Sequence, residues 1–168
     1  MFKKTVEFKS QVAVGGKTLK TLKKSIAANF GKNEDDVGRI FGKGDNVSCR
    51  KLAAAGGSNS KAAVYFMGEI PIIVDDGRGS LFPTCMGLWA VPDLLPVFEV
   101  PHPVSHYLCN GADLMLPGVR RIVPGPGATM GSLASVVVAG NPLPLAVGIV
   151  LFDPAGANAP RDGKVLSA

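Results

Sequence analysis

The sequence predicts an α+β protein in two lobes, a small α+β unit followed by a small β-barrel. Three observations carry this. One amphipathic helix is written near the N-terminus with the apolar residues Leu19, Leu22, Ile26 and Phe30 at helical spacing. Short runs of alternating or β-branched residues follow it. The chain holds 21 Gly and 13 Pro, most of them beyond residue 77, which calls for many turns between short strands in the second half.

Element by element, the chain reads as follows. Thr5 to Lys9 alternates as a short strand, and Gly15-Gly16 turns it. The helix runs from Lys17 to Phe30, and Gly31 is its C-terminal stop. Asn33 caps a second short helix whose first turn holds Glu34, Asp35 and Asp36, and which ends near Gly42. Asn46 to Ala54 and Lys61 to Met67 are strands joined by the loop GGSNS, and Ile70 to Val74 is a third. Asp75-Asp76-Gly77-Arg78-Gly79 is the strongest break in the sequence. It sets the expected boundary, with one domain over 1–78 and the other over 79–168.

In the second half, Thr84 caps a helix that runs to about Ala90 and stops at Pro92. Val97 to Val100 is a strand. Pro103 to Cys109 gives one or two helical turns. Leu133 to Ala139 and Leu145 to Phe152 are strands around the turn Asn141 to Pro144. The segment PGPGATMGS lacks the lysine and spacing of a phosphate loop and reads as a surface loop.

Charge divides the chain unevenly. Residues 1–24 hold seven Lys against one Glu, whereas residues 79–168 hold four basic and five acidic residues. A clustered positive surface points to a polyanion, RNA ahead of membrane, though it also serves solubility. Lys17, Lys20 and Lys24 fall on the helix face opposite the apolar stripe, with Lys23 beside them. The three cysteines, at 49, 85 and 109, form no CxxC pair and read as reduced thiols. With no apolar signal core and no membrane-length apolar run, a cytoplasmic protein is expected.

Two rival chemistries are weighed against RNA binding. His102, His106 and Cys109 have a spacing that would share a helix face and suit zinc, but Pro101 and Pro103 flank His102 and argue against a continuous helix through it. No metal site is therefore expected. A cysteine nucleophile has no local signature here, so neither a catalytic residue nor a cofactor is expected. Phe82 and Trp89 could stack on bases, but core packing is the favoured role for both.

LFPTCMGLWAVPDLLPVF, NGADLMLPGV and LAVGIVLF together resemble the second domain of ligatin-type translation initiation factors, and FKSQVAVGGKTLKTLKKSIAANFG resembles their start. That layout is also similar to the oncoprotein that partners density-regulated protein. The resemblance implies a pre-PUA α+β domain followed by a PUA pseudo-β-barrel. It implies an RNA-binding module that holds small ribosomal subunit RNA with the first domain and tRNA with the second. It further implies work in initiation or recycling beside a separate or C-terminal initiation-factor domain. The other reading is an accessory domain of an RNA-modification system. The chain departs from the family in having Gly131-Ser132 where Gly-Asp is common, and in ending at GKVLSA, where a closing strand is expected to follow.

Within CNGADLMLPGVRR, Gly111 lets the chain leave a helix at an unusual backbone angle and Ala112 leaves room for close approach. Asp113 either caps local backbone or meets a base. Pro117-Gly118 re-aims the chain, and Arg120-Arg121 is the one basic pair of that half. The resemblance places these residues on the RNA-facing edge, with the arginines on phosphates, and assigns Lys17, Lys20, Lys23 and Lys24 to the ribosomal surface.

Overall fold

A computed structural model describes residues 7–42, 46–53, 61–123, 129–152 and 163–167. The chain divides into two compact units, Phe2–Val91 and Pro92–Ala168.

The first unit is a five-stranded antiparallel sheet in the order β1-β2-β3-β4-β5, formed by Phe8–Ala13, Val47–Leu52, Ala63–Met67, Ile70–Asp75 and Leu81–Pro83. Of the strand expected over Thr5 to Lys9, the first two residues lie outside the described ones; β1 starts at Phe8 and continues to Ala13. The helices α1 (Gly16–Phe30) and α2 (Glu34–Gly38) lie between β1 and β2 in the chain. Helix α1 buries Leu19, Leu22, Ile26 and Ala27, the stripe that the spacing predicts. Gly31 ends it at φ 62°, with its N–H and that of Lys32 both donating to the carbonyl of Ala27. Asn33 caps α2 by accepting from the Asp36 N–H at 2.7 Å. The GGSNS loop lies outside the described residues.

The boundary expected after residue 78 is instead a hairpin turn. Asp75 Oδ1 accepts from the Gly77 N–H, and Asp76 Oδ1 accepts from the N–H groups of Arg78 and Ser80. These backbone bonds, that to Arg78 first, hold the Asp76 carboxyl below its ordinary range. Strand β5 then pairs with β4 through Ile73↔Pro83, Val74↔Phe82 and Asp75↔Leu81. Helix α3 (Cys85–Ala90) is capped by Thr84, whose Oγ1 accepts from Gly87 N–H at 3.0 Å and donates to the Pro71 carbonyl at 2.7 Å. Gly87 is pressed on the Ile72 carbonyl, and a Cβ there would collide with it. Residues 80–91 are thus built onto β4, and the units part at Val91/Pro92. A run of turn residues marks a reversal of the chain; it does not say whether the next strand comes back to the same sheet.

The second unit is a six-stranded sheet in the order β7-β11-β10-β9-β6-β8. The strands are β6 (Val97–Val100), β7 (Leu114–Met115), β8 (Arg121–Val123), β9 (Leu133–Val138), β10 (Ala146–Val150) and β11 (Lys164–Ser167). Among the described residues the β6/β9 pair alone is parallel; the other pairs are antiparallel. The core of this unit joins Phe98, Val100, Leu108, Leu114, Val136, Val150, Phe152 and Leu166, with Phe98 and Phe152 edge-to-face at 6.2 Å. Burying each such side chain contributes about 1.5–3 kcal/mol.

The stretch before the C-terminal residue is itself a strand. GKVLSA supplies β11, which pairs with both β10 and β7. Gly148 of β10 makes this possible, because a Cβ there would run into Leu166 and the Ser167 carbonyl. Helix α4 covers His102–Cys109 and begins one residue before Pro103. Pro101 is its N-cap and Pro103 lies in the first turn, where a missing N–H costs nothing. The two prolines that argued against a helix through His102 therefore start it.

Candidate nucleic-acid interface

Two surfaces gather the residues singled out in the sequence. The first is helix α1. Lys17, Lys20 and Lys24 are exposed. At 100° per residue they span about 60° of the helix circumference, opposite the buried Leu19, Leu22 and Ile26. Lys23 departs from them. It is half-buried, and its ammonium lies 5.6 Å from the centre of the Phe41 ring. The α1 face is therefore three lysines wide, and the fourth is turned onto an aromatic core residue.

The second surface runs from the end of α4 through β7 to β8. Gly111 adopts φ 85°. The Gly111 N–H donates to the Leu108 carbonyl at 2.9 Å and the Ala112 N–H to the Tyr107 carbonyl at 3.0 Å, a Schellman closure of α4. Gly111 and Ala112 are left exposed. Asp113 follows at the start of β7. Its carboxylate pairs with Lys164 and accepts from Ser167 Oγ at 3.1 Å, so it clamps β7 to β11. Leu114 faces the core, and Met115 faces out at 44% exposure, the alternation that an extended stretch requires. Pro117 and Gly118 form a 3-10 turn with Leu116, closed by the Val119 N–H on the Leu116 carbonyl at 2.9 Å.

The arginines are engaged by a residue of another strand. Strand β8 is at the opposite end of the strand order from β7. Glu99 on β6 holds both arginines, with Arg120 Nε at 3.7 Å and Arg121 Nη2 at 3.3 Å. Each arginine side chain remains 66% exposed, so each can still meet an anion, but only in competition with Glu99. The structure brings Asp113 together with Lys164 and Ser167, and both arginines together with Glu99.

Sequence reasoning missed Glu99, Lys164 and Ser167. Glu99 is a single charge in an apolar run, and Lys164 ends the charged stretch Arg161-Asp162-Gly163-Lys164. Only the strand register, which pairs Glu99 with Arg121 and Lys164 with Met115, reveals their partners. It also missed Tyr107, which is 69% exposed on α4. Trp89, expected in a core, is 51% exposed. Among the described residues no three His, Cys, Asp or Glu gather closely enough to enclose a metal. No helix of the described residues is long and apolar enough to cross a membrane.

Comparison with known proteins agrees with this architecture. The family model described as "Pre-PUA-like domain" matches residues 2–92, and that described as "elF2D, PUA domain" matches residues 95–164. Eukaryotic translation initiation factor 2D of Bos taurus is 35% identical over 159 residues, and that of Homo sapiens 32% over 157, each across 92% of this chain. The chain spans about a quarter of these relatives, 27% and 26% of their length. Among solved structures, a PUA-domain protein of Aeropyrum pernix superposes with TM-score 0.69 at 19% identity, covering 94% of this chain and 83% of that one. A hypothetical protein of Pyrococcus horikoshii superposes at 0.65, also at 19% identity, covering 94% and 91%.

Fold and comparisons together define a two-domain protein, a pre-PUA unit followed by a PUA unit. With the pre-PUA model matching more than half of it, the chain belongs to the pre-PUA family, and its second domain is of the elF2D type.

Proposed function

We propose that this chain is the RNA-binding part of a translation initiation or recycling factor. Helix α1 attaches it to RNA of the small ribosomal subunit, and the α4–β7 edge receives the end of a tRNA. The observation that carries this reading is the presence of two unlike surfaces, one in each unit. One is a convex lysine face, suited to sequence-blind phosphate contact. The other offers small residues, exposed backbone and the exposed side chains of Tyr107 and Met115, suited to a ribose and a stacked base. The family relation supports the translation setting, and a cytoplasmic location follows from it.

The proposed role needs no catalysis by this chain. Binding energy alone positions one RNA against another, with no nucleotide hydrolysis and no cofactor. The same relation supports work beside an initiation-factor domain, carried on the same chain or on a partner. The test is co-sedimentation with purified small ribosomal subunits, with and without tRNA. Saturable binding that retains added tRNA is the expected result. Failure to bind subunits or tRNA even at low salt would refute the proposal.

A further inference from the structure

The sequence alone argues against a helix through His102, and with it against any metal. The structure removes that premise. Helix α4 includes His102, so His102 and His106 stand one turn apart, at i and i+4 on one exposed face. Their rings are 5.2 Å apart between centres and 77° apart in plane. We propose that His102 and His106 form a two-imidazole chelate for a borderline divalent cation of the zinc class.

The argument is geometric. Imidazole nitrogen binds Zn²⁺ at about 2.0–2.1 Å, which puts each ring centre roughly 3.2 Å from the metal. Two such rings at a tetrahedral angle are then roughly 5 Å apart between centres. The observed separation of the ring centres is of this size, so the two rings are spaced for one shared ion. Histidines at i and i+4 on a helix are a recurrent zinc pair for the same reason.

The supporting backbone is fixed on both sides. Pro101 and Pro103 bracket His102 and restrict its entry into the helix. The His102 carbonyl accepts from Ser105 Oγ at 2.6 Å, and the His106 carbonyl accepts from Asn110 Nδ2 at 2.8 Å. A chelate on a preformed scaffold loses little conformational freedom when it closes. Cys109 is exposed one turn beyond His106, on the same side of the helix.

Two protein ligands make an open site. Water or another oxygen donor fills the remaining positions, so the ion exchanges readily and does not hold the fold together. The site is defined by α4 alone and does not depend on the RNA reading.

The test is zinc titration of the untagged chain against a chromophoric zinc indicator. Parent, His102→Ala, His106→Ala and Cys109→Ser chains are compared, with circular dichroism confirming that each is folded. One ion per chain is expected, with an affinity that falls at least tenfold in either histidine variant. Cys109→Ser is expected to keep the one-ion stoichiometry. Unchanged zinc affinity in either histidine variant would overturn the proposal. So would binding that disappears only with Cys109→Ser, since it would place the ion on a thiol.

Discussion

Replacing Lys17, Lys20 and Lys24 together with Gln should change the salt dependence of RNA binding by a definite amount. The three side chains are exposed on one 60° sector of α1, and no described contact of the fold is lost with them. Each lysine set against a phosphate releases counterions. It contributes about 0.7–0.9 to the slope of log affinity against log salt. Three contacts contribute about 2.1–2.7. Between 50 and 200 mM salt, a fourfold change, they weaken the parent by roughly 20- to 40-fold. The triple variant should bind less tightly at 50 mM, and its slope should be shallower by about 2, so the two curves converge as salt rises. Fluorescence anisotropy with a labelled fragment of small-subunit RNA reads this directly. Lys23→Gln is the internal control. It removes a cation over Phe41, costing about 0.5 kcal/mol of stability, and should leave most of the slope intact. Equal slopes for the parent and the triple variant would refute the placement of RNA on this face. A larger slope change from Lys23→Gln than from the triple variant would refute the geometric division within it.

Other consequences follow from the same structure. Asp113→Ala should lower the unfolding free energy by about 1 kcal/mol in denaturant titration, because it breaks a partly exposed ion pair with Lys164 and a hydrogen bond from Ser167. Asp113→Asn should recover part of that loss. Gly87→Ala should destabilise by about 2 kcal/mol or more, read as a drop in Tm, since its Cβ meets the Ile72 carbonyl and backbone must move. Alkylation of the native chain should label exposed Cys109 ahead of Cys49, whose thiol is pushed up chiefly by burial, lowered in part by Lys51 and raised by Asp75. Tyr65, the register partner of Cys49, is also pushed up, first by burial. Both groups favour the protonated form in the folded state. The contribution of Cys49 to stability is therefore whole below the ordinary thiol value of 9.0 and that of Tyr65 below the ordinary phenol value of 10.0, and each is lost as pH rises from there through the raised folded-state value, which alkaline unfolding curves would show.

The helices were legible where a local rule fixes them. The stripe of α1, the Gly31 stop, the Asn33 cap and the Thr84 cap each depend on residues within one or two turns, and all four stand as read. The failures were of partnership. Asp75–Gly79 carries every mark of a break, yet only the pairing of β5 with β4 shows that the break is a hairpin. Lys164–Ser167 is recognised as a strand only once β7 and β10 are known to flank it. Pro101 and Pro103 read as obstacles to a helix because proline is tolerated only in its first turn, and the start of α4 was placed one residue late.

The candidate site shows the same limit. Gly111 and the outward Met115 follow from local backbone and strand alternation. The company of Asp113 and of the two arginines does not. Asp113 is tied to a residue 51 positions away and Arg121 to one 22 positions away, separations that only the sheet register brings into contact. The arginine pair looked available for phosphate because its acidic partner, Glu99, lies on a different strand.

The most direct test of the two-surface arrangement is site-specific photocrosslinking of the chain bound to small subunits and tRNA. A crosslinker at position 20 on α1 and another at position 112 beside Gly111 report on each surface separately. Crosslinks from position 20 to ribosomal RNA and from position 112 to the tRNA end are the expected pattern. Crosslinks from both positions to the same RNA, or the reverse assignment, would contradict it.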